Sequence, residues 1–232
     1  MLILLIACHD PKAPVDTGTL TWDADLVVDE TTTVAEGSTL VIAPGVTVTF
    51  AEVAGLVVQG ELIAQGTADA PVRLTGDAEA PWVGVNFEDS AIDASFDGVD
   101  TYASGSLLEQ VILEHSTRAL TLVGASPYVH AVTFQDNEIP GTVDTIGGAA
   151  LLIRDGAAPR VRDCVFQDNV ANAFAFGGAV YVHHADPILQ NNTYTGNTAS
   201  YGGALSTDWM ASPIVGSTFE GNDSLSEGGG MS

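Results

Sequence analysis

The sequence predicts an all-β fold, a parallel β-helix (solenoid) of about eight coils running from residue 22 to residue 232. Three observations carry that expectation. A three-part signal recurs four times in the second half: a proline (Pro127, Pro159, Pro187, Pro213), then an aromatic segment ending in asparagine, then a run of glycines. No stretch sustains an apolar period of 3.6, whereas short β-rich runs bounded by Gly, Asn, Asp and Pro abound. The chain is 46% hydrophobic with 25 glycines in 232 residues, which supplies both a continuous core and many tight turns.

Taken from the amino end, residues 1–7 (MLILLIA) are an apolar run that stops at Cys8. A bilayer core needs about 20 helical residues, so this run does not span one. Leu5-Ile6-Ala7-Cys8 resembles the lipobox of bacterial lipoproteins, although the usual basic n-region is missing. The resemblance implies acylation at Cys8, with residues 1–8 as signal and lipobox and residues 9–21 as a polar, proline-containing tether. Cys164, the other cysteine, then has no disulfide partner within the chain and reads as a small buried hydrophobe.

From Trp22 to Phe87 the chain alternates as strands do. Val46, Val48 and Phe50 fall on one face and Thr47 and Thr49 on the other. Gly55 to Gly66 reads as two short strands between glycines. Residues 88–100 are the most acidic stretch and read as a solvated loop leaving the coil. Their spacing fits neither an EF-hand nor a glycine-rich calcium repeat.

The repeat follows. Phe134, Phe166, Tyr194 and Phe219 each precede an asparagine by three residues, and those asparagines, Asn137, Asn169, Asn197 and Asn222, are 32, 28 and 25 residues apart. Stacked coils would place the aromatics in one internal ladder and the asparagines in another, amide bonding to amide along the axis. The asparagines also suit left-handed turn conformations. Val129, Val161, Leu189 and Val215 each lie two residues after a proline, and the first three lie five before an aromatic. Five is odd, so both can face the core only if a bend or bulge intervenes.

Phe-x-x-Asn paired with Gly-Gly-Ala-[Ile/Leu/Val] resembles the repeat of the chlamydial polymorphic outer membrane proteins, a branch of the right-handed parallel β-helix superfamily. Gly177-Gly178-Ala179-Val180 and Gly202-Gly203-Ala204-Leu205 match it fully, Gly147-Gly148-Ala149-Ala150 matches in part, and Gly228-Gly229-Gly230-Met231 departs at the alanine. The resemblance covers about residues 126–232 and implies a right-handed β-helix. Ser232 stands where a new strand should begin, so the sequence reads as incomplete at its carboxyl end.

Charge narrows the function. Six Lys and Arg against 30 Asp and Glu give a net charge of −24. No basic stripe can form, which excludes nucleic acid as a partner, and anionic lipid headgroups repel such a surface. No motif demands a cofactor. His183-His184-x-Asp186 offers little to a metal, because adjacent residues on a strand point to opposite faces; His115 and His130 show no partner in the sequence. Arg154 with Asp155, and Arg160 and Arg162 with Asp163, are a conceivable groove for a uronate, but polygalacturonase signatures are missing. No catalytic residue is assigned. The expectation is a non-enzymatic cell-envelope β-helix lipoprotein, adhesin-like or structural, that binds an extracellular glycan or surface protein and reaches the membrane through Cys8. The alternatives are a polysaccharide lyase or hydrolase on the same scaffold, and a passenger segment of a larger secreted protein.

Overall fold

The computed structural model describes residues 18–98, 101–140, 147–172 and 174–232; Cys8 and the expected tether up to residue 17 lie outside the described residues. Every element within them is a strand, and the chain winds as a parallel β-helix. The first sheet stacks Thr19–Trp22, Thr39–Ile42, Glu61–Gln65, Leu107–Glu109, Tyr128–His130, Arg160–Arg162 and Ile188–Gln190. The second has eight strands, from Leu26–Val28 to Thr218–Glu220, and the third seven, from Thr32–Val34 to Leu205–Asp208. A short fourth ladder joins Glu138–Ile139, Val170–Ala171, Thr198–Tyr201 and Asp223–Glu227. The solenoid takes in Thr19 to Thr21, which the sequence suggested as the end of a tether.

Alternation explains the strands. Val46, Val48 and Phe50 are buried while Thr49 faces solvent, and apolar residues from all three long sheets merge into one core running from Trp22 to Leu205. Where strands are buried on one face only, parallel pairing in register places like residues over like. Phe134, Phe166 and Tyr194 are fully buried, with successive rings 4.8 Å apart and within 6° of parallel; Phe219 adds a fourth ring 4.6 Å above Tyr194.

Beside them runs a column of amides. Asn169 Nδ2 donates to Asn197 Oδ1 (2.9 Å) and to the Phe134 carbonyl (3.0 Å), while its Oδ1 accepts from Asn137 Nδ2 (2.9 Å). Asn197 repeats the pattern toward Asn222 and the Phe166 carbonyl, and Ser116 caps the far end by donating its hydroxyl to Asn137 Oδ1 (2.7 Å). The asparagines themselves do not take the left-handed conformation. That role falls to the residue before each: Asp136, Asp168, Gly196 and Gly221, at φ of 53°, 53°, 68° and 63°.

The corner between the first and second sheets is closed by another left-handed residue: Ala131, Asp163, Asn191 or Gly216. This supplies the bend that the odd spacing demands, and both Val129 and Phe134 face the core. Two columns differ from the sequence reading by one residue. Val215 bridges Gln190 and is half exposed, so Ile214, packed against the core, continues the Val129–Val161–Leu189 column. Likewise Leu151 pairs with Val180, so Gly148, not Gly147, stacks on Gly177; their φ values, 68° and 61°, agree. Gly178 must lack a side chain, since a Cβ there would run into the carbonyl oxygens of Gly203 and Thr198.

Cys164 is buried, its thiol near the Arg162 carbonyl (3.2 Å), and burial pushes its pKa up to about 12, so it is a poor nucleophile. Glu114 is the one buried carboxylate among the described residues. Burial raises its pKa, but the Arg73 guanidinium and hydrogen bonds from Thr75 and Gln135 outweigh that and hold it below the ordinary value.

Two predictions follow from this packing. Asn169→Ala strands two donors of Asn137, its Nδ2 and its backbone N–H, and takes one donor from the Phe134 carbonyl, so it should cost about 3 kcal/mol in urea unfolding. Arg73→Leu should cost roughly 1–2 kcal/mol at pH 7, because Glu114 is buried but Arg73 is only partly so. A carboxyl with a depressed native pKa stabilises above its unfolded pKa and loses that contribution as pH falls through the native one. The penalty of Arg73→Leu should therefore fade in melts taken below about pH 4.

Candidate functional site

Two columns of side chains point outward from the third sheet. Strand register aligns Asn86, Thr121, Leu152, Tyr181 and Ser206 in one, and Val123, Arg154, His183 and Asp208 in the other. Over the lower coils these columns floor a groove of about 460 Å³, walled by Arg118, Arg154, Asn86, Thr121, Leu152 and Pro140. Two guanidiniums thus sit in one depression on a molecule whose net charge is −24. Arg154 Nε, itself shielded from solvent, lies 3.4 Å from Asp155 Oδ2, while the side chain as a whole is partly exposed.

An aromatic strip prolongs the groove, because Leu152 and Arg154 pair directly with Tyr181 and His183 one coil on. Phe176 stacks on Tyr181 (5.5 Å) and on Tyr201 (5.1 Å). Phe174 and Trp209 stand 73% and 79% exposed, which is unusual for large aromatics. Burial raises the Tyr181 phenol, with Asp208 adding to the effect, so it is neutral at pH 7 and serves as a hydrogen-bonding group.

The histidines depart from the sequence reading. His184 sits at a corner with φ of 51°, so strand alternation ends and both rings turn to the same side. They meet Asp208 of the next coil rather than Asp186: His183 Nδ1 is 3.1 Å and His184 Nε2 3.9 Å from Asp208 Oδ2. Asp186 instead accepts the backbone N–H groups of Ser212 (2.6 Å) and Ala211 (3.0 Å), which lower its pKa. Arg154 and the Arg160–Arg162 pair do not make one groove either, for they lie on different sheets.

The face around Arg160 is closed on itself. The acidic stretch leaves the coil as expected but returns as an antiparallel hairpin, Ser95–Asp97 with Thr101–Ser104. Phe96 meets Tyr128 edge-on (5.2 Å), Tyr102 stacks on Tyr128 (6.1 Å), and the Arg160 guanidinium lies 3.7 Å above the Phe96 ring. His130 does have partners: its Nδ1 is 2.8 Å from Glu109 and its Nε2 3.5 Å from Asp163. These groups satisfy one another and hold the hairpin down. A further groove, of about 520 Å³, is lined by Glu79, His115, Asp136, Glu138 and Asp168. Burial raises the Asp136 carboxyl there, and Asp168 and Glu114 repel its charge further. It disfavours an anionic ligand.

Sequence reasoning missed Arg118, Asn86, Thr121, Leu152 and Asp208, because coil register, not local sequence, brings them together. One signal was available. Arg154, His183 and Asp208 each lie six residues past the first glycine of a stacked corner, Gly148, Gly177 and Gly202.

No protein-family model matches the chain, and no curated protein matches it in sequence. Among solved structures, alginate lyase from Paenibacillus sp. str. FPU-7 is similar over 88% of this chain and 98% of that one, at 12% identity and a TM-score of 0.29. The fold assignment rests on the strand pairing itself.

If Arg160 pins the hairpin, Arg160→Ala should raise hydrogen exchange across residues 95–98 and 101–104 while shifting the melting temperature by only a degree or two, since a cation–π contact at a partly exposed site is worth about 1 kcal/mol.

Proposed function

We propose that this chain is a non-enzymatic β-helix of the cell envelope that binds an acidic glycan along the outer face of its third sheet, held to the membrane through an acylated Cys8. The observation that supports it best is the pairing of Arg118 and Arg154 in a groove that continues into the Tyr181–Phe176–Tyr201 strip. Guanidiniums take carboxylate or sulfate oxygens in a fixed fork, and aromatic faces, negative at their centres, take the C–H edges of sugar rings. An extended polymer fits an extended ridge. The protein would then act as an adhesin or as a spacer.

Elimination chemistry on a uronate is the reading it displaces. That would need a free base beside Arg154. The groups beside it are Asp155, paired with Arg154 Nε itself (3.4 Å), Tyr181, whose phenol stays neutral, and His183, whose Nδ1 faces both Asp208 (3.1 Å) and the Tyr181 hydroxyl (3.3 Å). No group there is poised to take a carbon-bound proton.

Calorimetry against alginate, polygalacturonate and a sulfated glycan, with dextran as the neutral control, tests the proposal. The acidic polymers should bind, weakening with salt, and Arg118→Ala with Arg154→Ala should lower affinity about tenfold or more. Equal binding of dextran, or indifference to both substitutions, would sink the glycan reading. Release of unsaturated uronate ends would instead show an enzyme. Labelling with radioactive palmitate that survives Cys8→Ala would remove the anchor.

A further inference from the structure

We infer that His183, His184 and Asp208 form a binding site for a divalent transition ion of the zinc or copper class. This goes beyond the glycan reading and does not depend on it. Three donor atoms, His183 Nδ1, His184 Nε2 and Asp208 Oδ2, lie within 4.8 Å of one another, and the two imidazole rings are 4.3 Å apart between centroids. Metal–nitrogen and metal–oxygen bonds of about 2.0–2.2 Å place tetrahedral ligand atoms a little over 3 Å apart, so modest side-chain rotations close the set around an ion.

Backbone pairing holds the donors in place. His183 is the register partner of Asp208, and the His184 N–H donates to the Asp208 carbonyl (2.9 Å). The left-handed corner at His184 recurs at Asp155 and Trp209 in the neighbouring coils, so the coil itself imposes the turn that aims both imidazoles one way. An ordinary ion pair between Asp208 and one histidine would leave the second without purpose; two imidazoles sharing one carboxylate oxygen are a ligand set.

The donor chemistry selects the ion. Two neutral imidazoles and one carboxylate suit zinc, copper or nickel and are poor for calcium or magnesium, which want oxygen. The three side chains are 40–55% exposed, so water can fill the remaining positions. The charges around the site are Arg154, one coil below His183 and close to Asp155, and Asp186, engaged by the following loop. The net charge of −24 draws cations to the surface generally.

Trp209 supplies the readout. Its ring is 5.7 Å from His184 and 79% exposed, whereas Trp22 and Trp82 are 5% and 0% exposed. The full chain, purified without a histidine tag and stripped with a chelator, would be titrated with Zn²⁺ by calorimetry and with Cu²⁺ by tryptophan fluorescence. One equivalent should bind, with copper quenching the solvent-exposed component of the emission. His184→Ala and Asp208→Asn should each weaken binding about tenfold or more, and His183→Ala/His184→Ala should abolish the one-equivalent step. These side chains are on the surface, so circular dichroism should show an intact fold, and His130→Ala should leave binding unchanged. An undiminished step in the double variant, no binding by the parent chain, or equal affinity for Ca²⁺ and Zn²⁺ would each overturn the site. No glycan is present in the titration, so its result stands apart from the glycan test.

Discussion

Everything in this molecule depends on the coils meeting in register, and the buried column of amides is what fixes that register most strictly. Hydrophobic side chains tolerate sliding; a leucine over a valine is nearly as good as over another leucine. An asparagine side chain in a dry core does not, because an unmet amide costs far more than a met one gains. Each of Asn137, Asn169 and Asn197 ties the coil above to a carbonyl in the coil below, that of Leu113, Phe134 and Phe166 respectively. A slip by one residue would orphan the column and turn every inward side chain outward.

Register also creates the surface. Because the coils repeat, an outward position becomes a line of side chains along the axis, and chemistry that no single coil contains appears between coils. The guanidinium groove, the aromatic strip and the imidazole–carboxylate cluster are all of this kind, each joining residues of successive coils. The interior is uniform and apolar; the exterior is where one coil can differ from the next at little cost. By that logic the third sheet is the variable face, carrying asparagine, leucine and tyrosine at one outward column and arginine, histidine and aspartate at the next.

Much of this was legible in the sequence, and the misses are instructive. The strand over residues 47–50 follows from alternation alone, and the columns of aromatics and asparagines follow from spacing. The corners were harder. Reading like letters as like positions put Gly147 over Gly177 and Val215 over Leu189, each one residue off, because a motif is matched by identity whereas a coil is matched by hydrogen bonds. The histidines failed for a related reason: the strand rule was applied to His184, the first residue past the strand. The hairpin left no trace beyond its acidity, since Phe96 and Tyr102 acquire meaning only against Tyr128 and Arg160.

The in-register amide column is best tested by hydrogen exchange of the asparagine side chains themselves, in protein labelled with ¹⁵N at asparagine and transferred to D₂O. The account predicts that the Nδ2 protons of Asn137, Asn169 and Asn197 persist long after those of the exposed Asn191 have exchanged, since each buried amide is closed off between two acceptors. Loss of all four signals at a common rate would contradict it.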